Sequence, residues 1–259
     1  MNSLLKEERQ RLILEALQEN KKVGVQDLSR RFGTSEVTIR RDLQELASSG
    51  ILRRAHRGAI LVTPALPEPP VVQRMAIEQQ EKEAIARQAS ELVHDGDSIF
   101  VGSGSTTAFL ARHLVERKHL TVVTNALNIA ADLALANENI TTVVTGGVVR
   151  SDELSLLGHI AELSLPELRV DKIIMGMQAI SIEGGLTTDH LPEVATTRKV
   201  FEMASELIVL ADHSKLNTLA AAFIAPVTRM TTLVTGAGAD AQFLARLEEL
   251  EIRVIIAEN

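Results

Sequence analysis

The chain has 259 residues, enough for two domains of ordinary size. It is 45 % apolar and 24 % charged, which excludes a disordered chain, and it has no cysteine, which excludes disulfides, thiolate metal sites and a thiol nucleophile and fits a reducing cytoplasm, its expected location. The net charge of −7 divides unevenly. Residues 1–61 carry 12 Lys/Arg against 8 Asp/Glu, giving +4, and the remainder carries 15 against 26, giving −11. A basic module on an acidic body is the asymmetry expected when one end alone meets phosphates. No apolar stretch reaches the ~20 residues of a membrane helix, so no membrane partner is expected. The charged start, MNSLLKEERQRLILEALQEN, does not have the pattern of a signal peptide.

In chain order, Leu5, Leu12, Ile13, Ala16 and Leu17 share one face of a predicted helix over about Lys6–Glu19. Val25, Leu28 and Phe32 mark a short second helix, and Gly33 allows a tight turn after it. Thr34 or Ser35 can cap a third helix whose predicted inner face is Val37, Ile39, Leu43 and Leu46, with Gly50 stopping it. Ser35, Glu36, Thr38, Arg40 and Arg41 are left to solvent. Two helices across a short turn, the second presenting small polar groups and cations, form a helix-turn-helix. Ser35, Glu36 and Thr38 suit base edges, and Arg40 and Arg41 suit phosphates. The segment Ile51–Leu61 reads as a two-stranded wing whose Arg53, Arg54, His56 and Arg57 suit phosphate or minor-groove contact.

TPALPEPP, residues 63–70, holds four of the seven prolines and reads as extended chain that belongs to neither core. The expected division is a winged helix-turn-helix DNA-binding domain over 1–61, a linker over 62–74 and an effector-binding and oligomerisation domain over 75–259. Beyond the linker a helix over about Ile77–Val93 leads into short apolar runs at 98–101, 120–124, 141–145, 172–176, 207–211, 231–235 and 253–257, alternating with helical patterns. That alternation predicts a doubly wound α/β domain, a mostly parallel sheet covered on both faces. Its strongest local motif is Val101-Gly102-Ser103-Gly104-Ser105-Thr106-Thr107, a Gly/Ser loop between strand and helix that can cradle an anion. It matches neither a P-loop nor a dinucleotide fingerprint. Thr124-Asn125, Thr145-Gly146-Gly147, Gly176-Met177 and Asp212-His213-Ser214-Lys215 fall at other strand ends, where open α/β sheets bind ligands.

Residues 9–60 resemble the N-terminal domain of the DeoR family of bacterial repressors, above all in Ser35-Glu36-Val37-Thr38-Ile39-Arg40-Arg41-Asp42-Leu43. The family's wing usually reads His-Gly-Gly-Ala; this chain has His56-Arg57-Gly58-Ala59. Residues 75–257 resemble the same family's effector domain, through the 103–107 loop, 122–125, 145–158, 185–188 and 211–215. The resemblance implies a fold similar to ribose-5-phosphate isomerase. It implies a phosphate held by Ser103, Gly104, Ser105, Thr106, Thr107 and Lys215, and a sugar among Asn125, Gly146, Gly147, Arg150 and Glu153. Many members carry Asp where this chain has Gly102 and Gly236.

The expected function is therefore a sequence-specific transcriptional repressor of carbohydrate-catabolism genes. Its expected partners are a double-stranded DNA operator, a phosphorylated sugar effector and further copies of itself, as a homodimer or homotetramer. The alternative is an isomerase-like enzyme, which needs a general base. The similar stretch here, Met175-Gly176-Met177-Gln178-Ala179 followed by Glu183-Gly184-Gly185, lacks the isomerase's acids and lysine. There is no Gly-x-Ser-x-Gly elbow and no close histidine spacing, so neither catalysis nor a metal or other cofactor is expected. A winged helix used for protein contacts is a third reading, against which the basic third helix argues.

Overall fold

The computed structural model describes residues 5–20, 22–48, 52–55, 58–61 and 68–258. The chain divides into two compact units, Met1–Pro64 and Ala65–Asn259.

The first unit has three helices, α1 (Lys6–Asn20), α2 (Val25–Phe32) and α3 (Glu36–Ser48), and three short strands, β1 (Lys22–Gly24), β2 (Leu52–Ala55) and β3 (Gly58–Leu61). Its core is Ile13, Ala16, Leu17, Val25, Leu28, Ile39, Leu43 and Leu46, joined by Leu52 and Ala59 from the strands. These side chains recur at helical spacing, which is why each helix buries one stripe. The predicted two-stranded wing is present as the antiparallel pair β2-β3, and β1 adds a third strand to it, in the order β1-β3-β2. The added strand, Lys22-Val23-Gly24, is too short to show an alternating pattern and exists by pairing with β3. That pairing brings Gly58 against the Val23 carbonyl so closely that a Cβ on Gly58 would overlap it. The expected glycine stop at Gly50 lies outside the described residues.

In the second unit a short helix α4 (Val71–Arg74) precedes α5 (Gln79–Ser90), β4 (Ser98–Val101), α6 (Ser105–His113), β5 (Thr121–Thr124), α7 (Leu127–Ala136) and β6 (Thr141–Val144). A hairpin follows, β7 (Val148–Arg150) and β8 (Ser155–Leu157), then α8 (His159–Ser164) and β9 (Lys172–Gly176). The chain continues through β10 (Ala179–Ser181), β11 (Gly185–Thr188), α9 (Leu191–Phe201), β12 (Glu206–Leu210), β13 (Ala222–Ala225), β14 (Thr232–Gly236), α10 (Ala241–Glu248) and β15 (Arg253–Ala257). Seven strands form one sheet in the order β15-β14-β12-β9-β4-β5-β6, and every pairing in it is parallel. These are the seven apolar runs of the sequence. Alternate residues enter opposite cores: Phe100, Ile173, Leu207 and Leu233 on one face, and Ile99, Ile174, Ile208 and Val234 on the other. Helices cover both faces, so the strands are apolar throughout.

The chain lays β4, β5 and β6 outward in one direction, then returns to place β9 against the opposite edge of β4. The order reverses between β4 and β9, which opens a crevice beyond their carboxyl ends. A smaller antiparallel sheet, β10-β11-β13, and the β7-β8 hairpin flank that end. Residues 68–74, read from the sequence as linker, are part of this unit. Val71 is buried, its N–H donates to the Asp152 carbonyl at 2.7 Å, and Arg74 is buried.

Candidate functional sites

The first site is the outer face of α3. Ser35 caps this helix: its hydroxyl accepts from the Thr38 N–H at 3.2 Å, the usual N-cap arrangement. Ser35, Arg40 and Arg41 are exposed, and Glu36 and Thr38 are half-buried. The cations are paired along the helix surface, Arg40 with Glu36 at 3.3 Å and Arg41 with Glu45 at 3.7 Å. Such exposed i,i+4 pairs are worth only a few tenths of a kcal/mol.

One inward assignment is corrected. Val37 is 76 % exposed, while Ile39, Leu43 and Leu46 are buried as expected. The residue that takes the expected inner place on the next turn is Asp42, whose carboxylate accepts from Arg9 of α1 at 2.5 and 3.1 Å. Helical period itself sets Val37 opposite Ile39 and Leu46 and sets Asp42 beside them; the ion pair with Arg9 is what makes burial of that aspartate tolerable. An exposed valine on this face suits contact with a thymine methyl. On the wing, β2 carries Arg53 and Arg54, whose side chains lie outside the described residues, as do His56 and Arg57 entirely.

The second site is a cavity at the β4/β9 crevice of the second unit. Gly104 begins α6 with φ +146°, a conformation that favours glycine, and supplies no side-chain cap. The first-turn N–H groups therefore point outward without an internal partner. Ser103, Gly104, Ser105 and Thr106 line the cavity, and so do Lys215, Arg150 and Glu153. Thr107, Asn125, Gly146 and Gly147 do not. The Thr107 hydroxyl donates to the Gly104 carbonyl at 3.1 Å, and the Asn125 side-chain oxygen accepts from the Ser103 N–H at 3.0 Å, so these two hold the loop. Gly146 and Gly147 have positive φ, and a Cβ on Gly147 would sit 2.7 Å from the Leu157 carbonyl. They let the β7-β8 hairpin fold back, and the hairpin carries Arg150 and, in its turn, Glu153.

Several lining residues had no sequence signal. Arg74 of α4 donates to both oxygens of Glu153 at 2.6 Å and to Glu68 at 2.5 Å. Glu68 also accepts from Lys215 at 2.5 Å. Glu193 of α9 accepts from Arg150 at 3.0 Å. Met175, Met177 and Ile224 supply the apolar part of the lining. Lys82 of α5 is buried behind the cavity; it donates to the Arg74 and Ile77 carbonyls and stands 3.7 Å from Asp212, whose carboxylate orients the turn bearing Lys215.

Burial sets the ionisation here. Desolvation pushes the Glu193 carboxyl up to about 7, with Arg150 opposing. Desolvation likewise raises Glu153, partly offset by Arg74, and lowers Lys82.

The two glycines at which the chain departs from the family pattern are both closed off by neighbours. A Cβ on Gly102 would lie 2.6 Å from the Met175 Cβ, and one on Gly236 would overlap Glu81, which accepts from the His213 backbone and ring.

Family models match both parts of the chain. Residues 9–65 match the DeoR-like helix-turn-helix domain, and residues 77–237 match the DeoR C terminal sensor domain. The chain is 34 % identical over 253 residues to a protein of Escherichia coli O157:H7 named as an aga operon transcriptional repressor, covering 96 % of this chain and 93 % of that one. It is 31 % identical to the HTH-type transcriptional regulator GolR of Listeria innocua, covering 97 % and 98 %. It is also 31 % identical to the glycerol-3-phosphate regulon repressor of Escherichia coli K12, covering 87 % and 88 %. Among solved structures, ribose-5-phosphate isomerase from Methanocaldococcus jannaschii is matched at 23 % identity and a TM-score of 0.40 over 54 % of this chain and 55 % of that one. With a helix-turn-helix whose cations are exposed and a sensor unit whose cations line a cavity, this chain belongs to the DeoR family of DNA-binding transcriptional regulators.

Proposed function

We propose that this chain represses carbohydrate-catabolism genes: its first unit binds a double-stranded operator, and a phosphorylated sugar in its second unit sets the affinity. The observation that carries the ligand half is the cavity at the switch point, where an uncapped helix N-terminus and the cations Lys215 and Arg74 line one small space. That combination suits a phosphate. In this reading Ser103, Gly104, Ser105 and Thr106 donate to the phosphate and Lys215 neutralises it. Arg150, Glu153 and Glu193 meet the sugar hydroxyls. Thr107 and Asn125 position the loop, and Gly146 and Gly147 position the hairpin. The name of the Escherichia coli K12 relative, a glycerol-3-phosphate regulon repressor, supports a small phosphorylated ligand here.

For DNA, α3 enters the major groove. Ser35, Glu36, Thr38 and Val37 face base edges, Arg40 and Arg41 face phosphates, and Arg53, Arg54, His56 and Arg57 of the wing add phosphate or minor-groove contacts. One helix-turn-helix reads too few base pairs to select a site, so a homodimer or homotetramer in the cytoplasm binds a two-fold operator. No cofactor or metal takes part.

Thermal unfolding of the full chain against a panel of sugars, each with and without its phosphate, tests the ligand half. A ligand at about 100 times its Kd adds about 2.7 kcal/mol to the folded state. The expected result is a rise in Tm with one phosphorylated compound and none with its free sugar. Equal shifts from both members of a pair would contradict the phosphate assignment.

A further inference from the structure

The cavity encloses about 70 Å3. That is room for a few waters, far below the ~300 Å3 or more of a pocket that takes a small organic molecule. Side chains from the cavity's own wall fill the difference, and the one in the most telling place is Glu68. Its carboxylate, 13 % exposed, spans the two cations that a phosphate would seek, accepting from Lys215 Nζ and from an Arg74 terminal nitrogen, each at 2.5 Å. Arg74 remains incompletely satisfied: its Nε is buried and has no hydrogen-bond partner among the described residues.

We infer that Glu68 is a built-in occupant of the anion site, holding Lys215 and Arg74 in the place of a ligand's phosphate, and that an anionic ligand binds by expelling it. The inference rests on the reading of this cavity as a phosphate site and adds the group that competes for it. The physical reason is charge compensation. A desolvated cation left alone is costly, so in the free protein a carboxylate must stand beside Lys215 and Arg74. A phosphate carries up to twice the charge and more acceptor oxygens than a carboxylate, so it wins the exchange; a neutral sugar cannot. Glu68 thus makes the site selective for charge as well as shape.

Its place in the chain gives the exchange a consequence. Glu68 stands immediately before Pro69-Pro70 and α4, in the stretch of sequence that leads from the DNA-binding unit. Glu193 pairs with Arg150 in the same cavity without any such position. Expelling Glu68 breaks the contacts of residue 68 with Lys215 and Arg74, while the Val71 N–H on the Asp152 carbonyl and Arg74 on Glu153 still hold the residues that follow.

The test uses inorganic phosphate and the full-length chain at constant ionic strength. Calorimetric titration of the wild type and of Glu68→Gln, which keeps the shape and removes the charge, compares affinities. Hydrogen exchange of peptides covering 68–75 is followed with and without phosphate. The expected result is about tenfold tighter phosphate binding by Glu68→Gln, and faster exchange in that peptide when phosphate binds the wild type. Equal or weaker binding by the variant, or added protection of that peptide in the wild type, would overturn the competition while leaving the phosphate site standing. Failure of both proteins to bind phosphate would overturn the site itself and the inference with it. The wild-type exchange measurement needs no variant, so it decides the matter even if Glu68→Gln folds poorly.

Discussion

Each unit buries an arginine against carboxylates, and the two arrangements do opposite things. In the first unit Arg9 grips Asp42 with two parallel hydrogen bonds, its guanidinium spanning α1 and α3. In the second, Arg74 shares its guanidinium between Glu68 and Glu153, leaves its Nε unpaired and borders an open space. The first pair joins α1 to α3, the helix proposed to face DNA. The cations proposed for DNA, Arg40 and Arg41, are outside it on the surface, paired with Glu36 and Glu45. The second pair is itself the exchangeable one. In the proposed function a polyanion is met at the surface by exposed cations, and a small anion in a cavity whose cations hold a resident counter-charge until it arrives.

The comparison can be broken or sharpened by substitution. The largest effect is expected from Asp42→Ala, which leaves Arg9 buried and uncompensated and should cost the first unit about 3–5 kcal/mol. Chemical denaturation should show the first unit's transition moving and the second's unchanged. Next, Lys215→Ala removes a charged donor from the cavity and should weaken a phosphorylated ligand about 10–100-fold by calorimetry. Arg41→Ala should weaken DNA about equally on every sequence and lower the salt slope of binding by about 1, read by anisotropy at several salt concentrations. A smaller, pH-dependent effect belongs to Glu193. Its carboxyl is raised to about 7 in the folded chain from 4.5 unfolded. Between those values the folded state holds a proton the unfolded state has lost, so stability falls as pH rises through that window. Glu193→Gln removes the loss. Its Tm relative to wild type should climb from about pH 5 to about pH 8, and a flat difference would show that Arg150 compensates the charge fully.

Much of this was legible in the residues. The seven parallel strands declared themselves because burial on both faces makes each an uninterrupted apolar run, as in Lys172–Gly176 and Glu206–Leu210. The loop at 103–106 and Lys215 drew notice in the sequence because they fall together at strand ends, and the structure places both on the cavity. What was hidden depends on pairing across the chain. The strands at 22–24, 179–181 and 185–188 are three or four residues long and take their form from partners. Val37 was assigned inward for its apolarity, although helical period sets it on the outer face, and the burial of Asp42 was hidden because its counter-charge, Arg9, lies 33 residues earlier. Glu68 and Arg74 sat in a proline-rich stretch that composition assigns to no core. Prolines 69 and 70 instead lead Val71 into burial, and α4 carries Arg74 to the cavity. Lys82 reads as a solvated lysine until the Arg74 and Ile77 carbonyls are seen to surround it.

The central claim is that an anion in the second unit changes how the first holds DNA. Fluorescence anisotropy of the full-length chain on the DNA upstream of its own gene, with and without a panel of phosphorylated sugars, tests it directly. The account predicts that one phosphorylated compound shifts operator affinity by about tenfold or more, equivalent to about 1.4 kcal/mol of coupling, and that Lys215→Ala abolishes the shift. Tight operator binding that no phosphorylated sugar alters would contradict it.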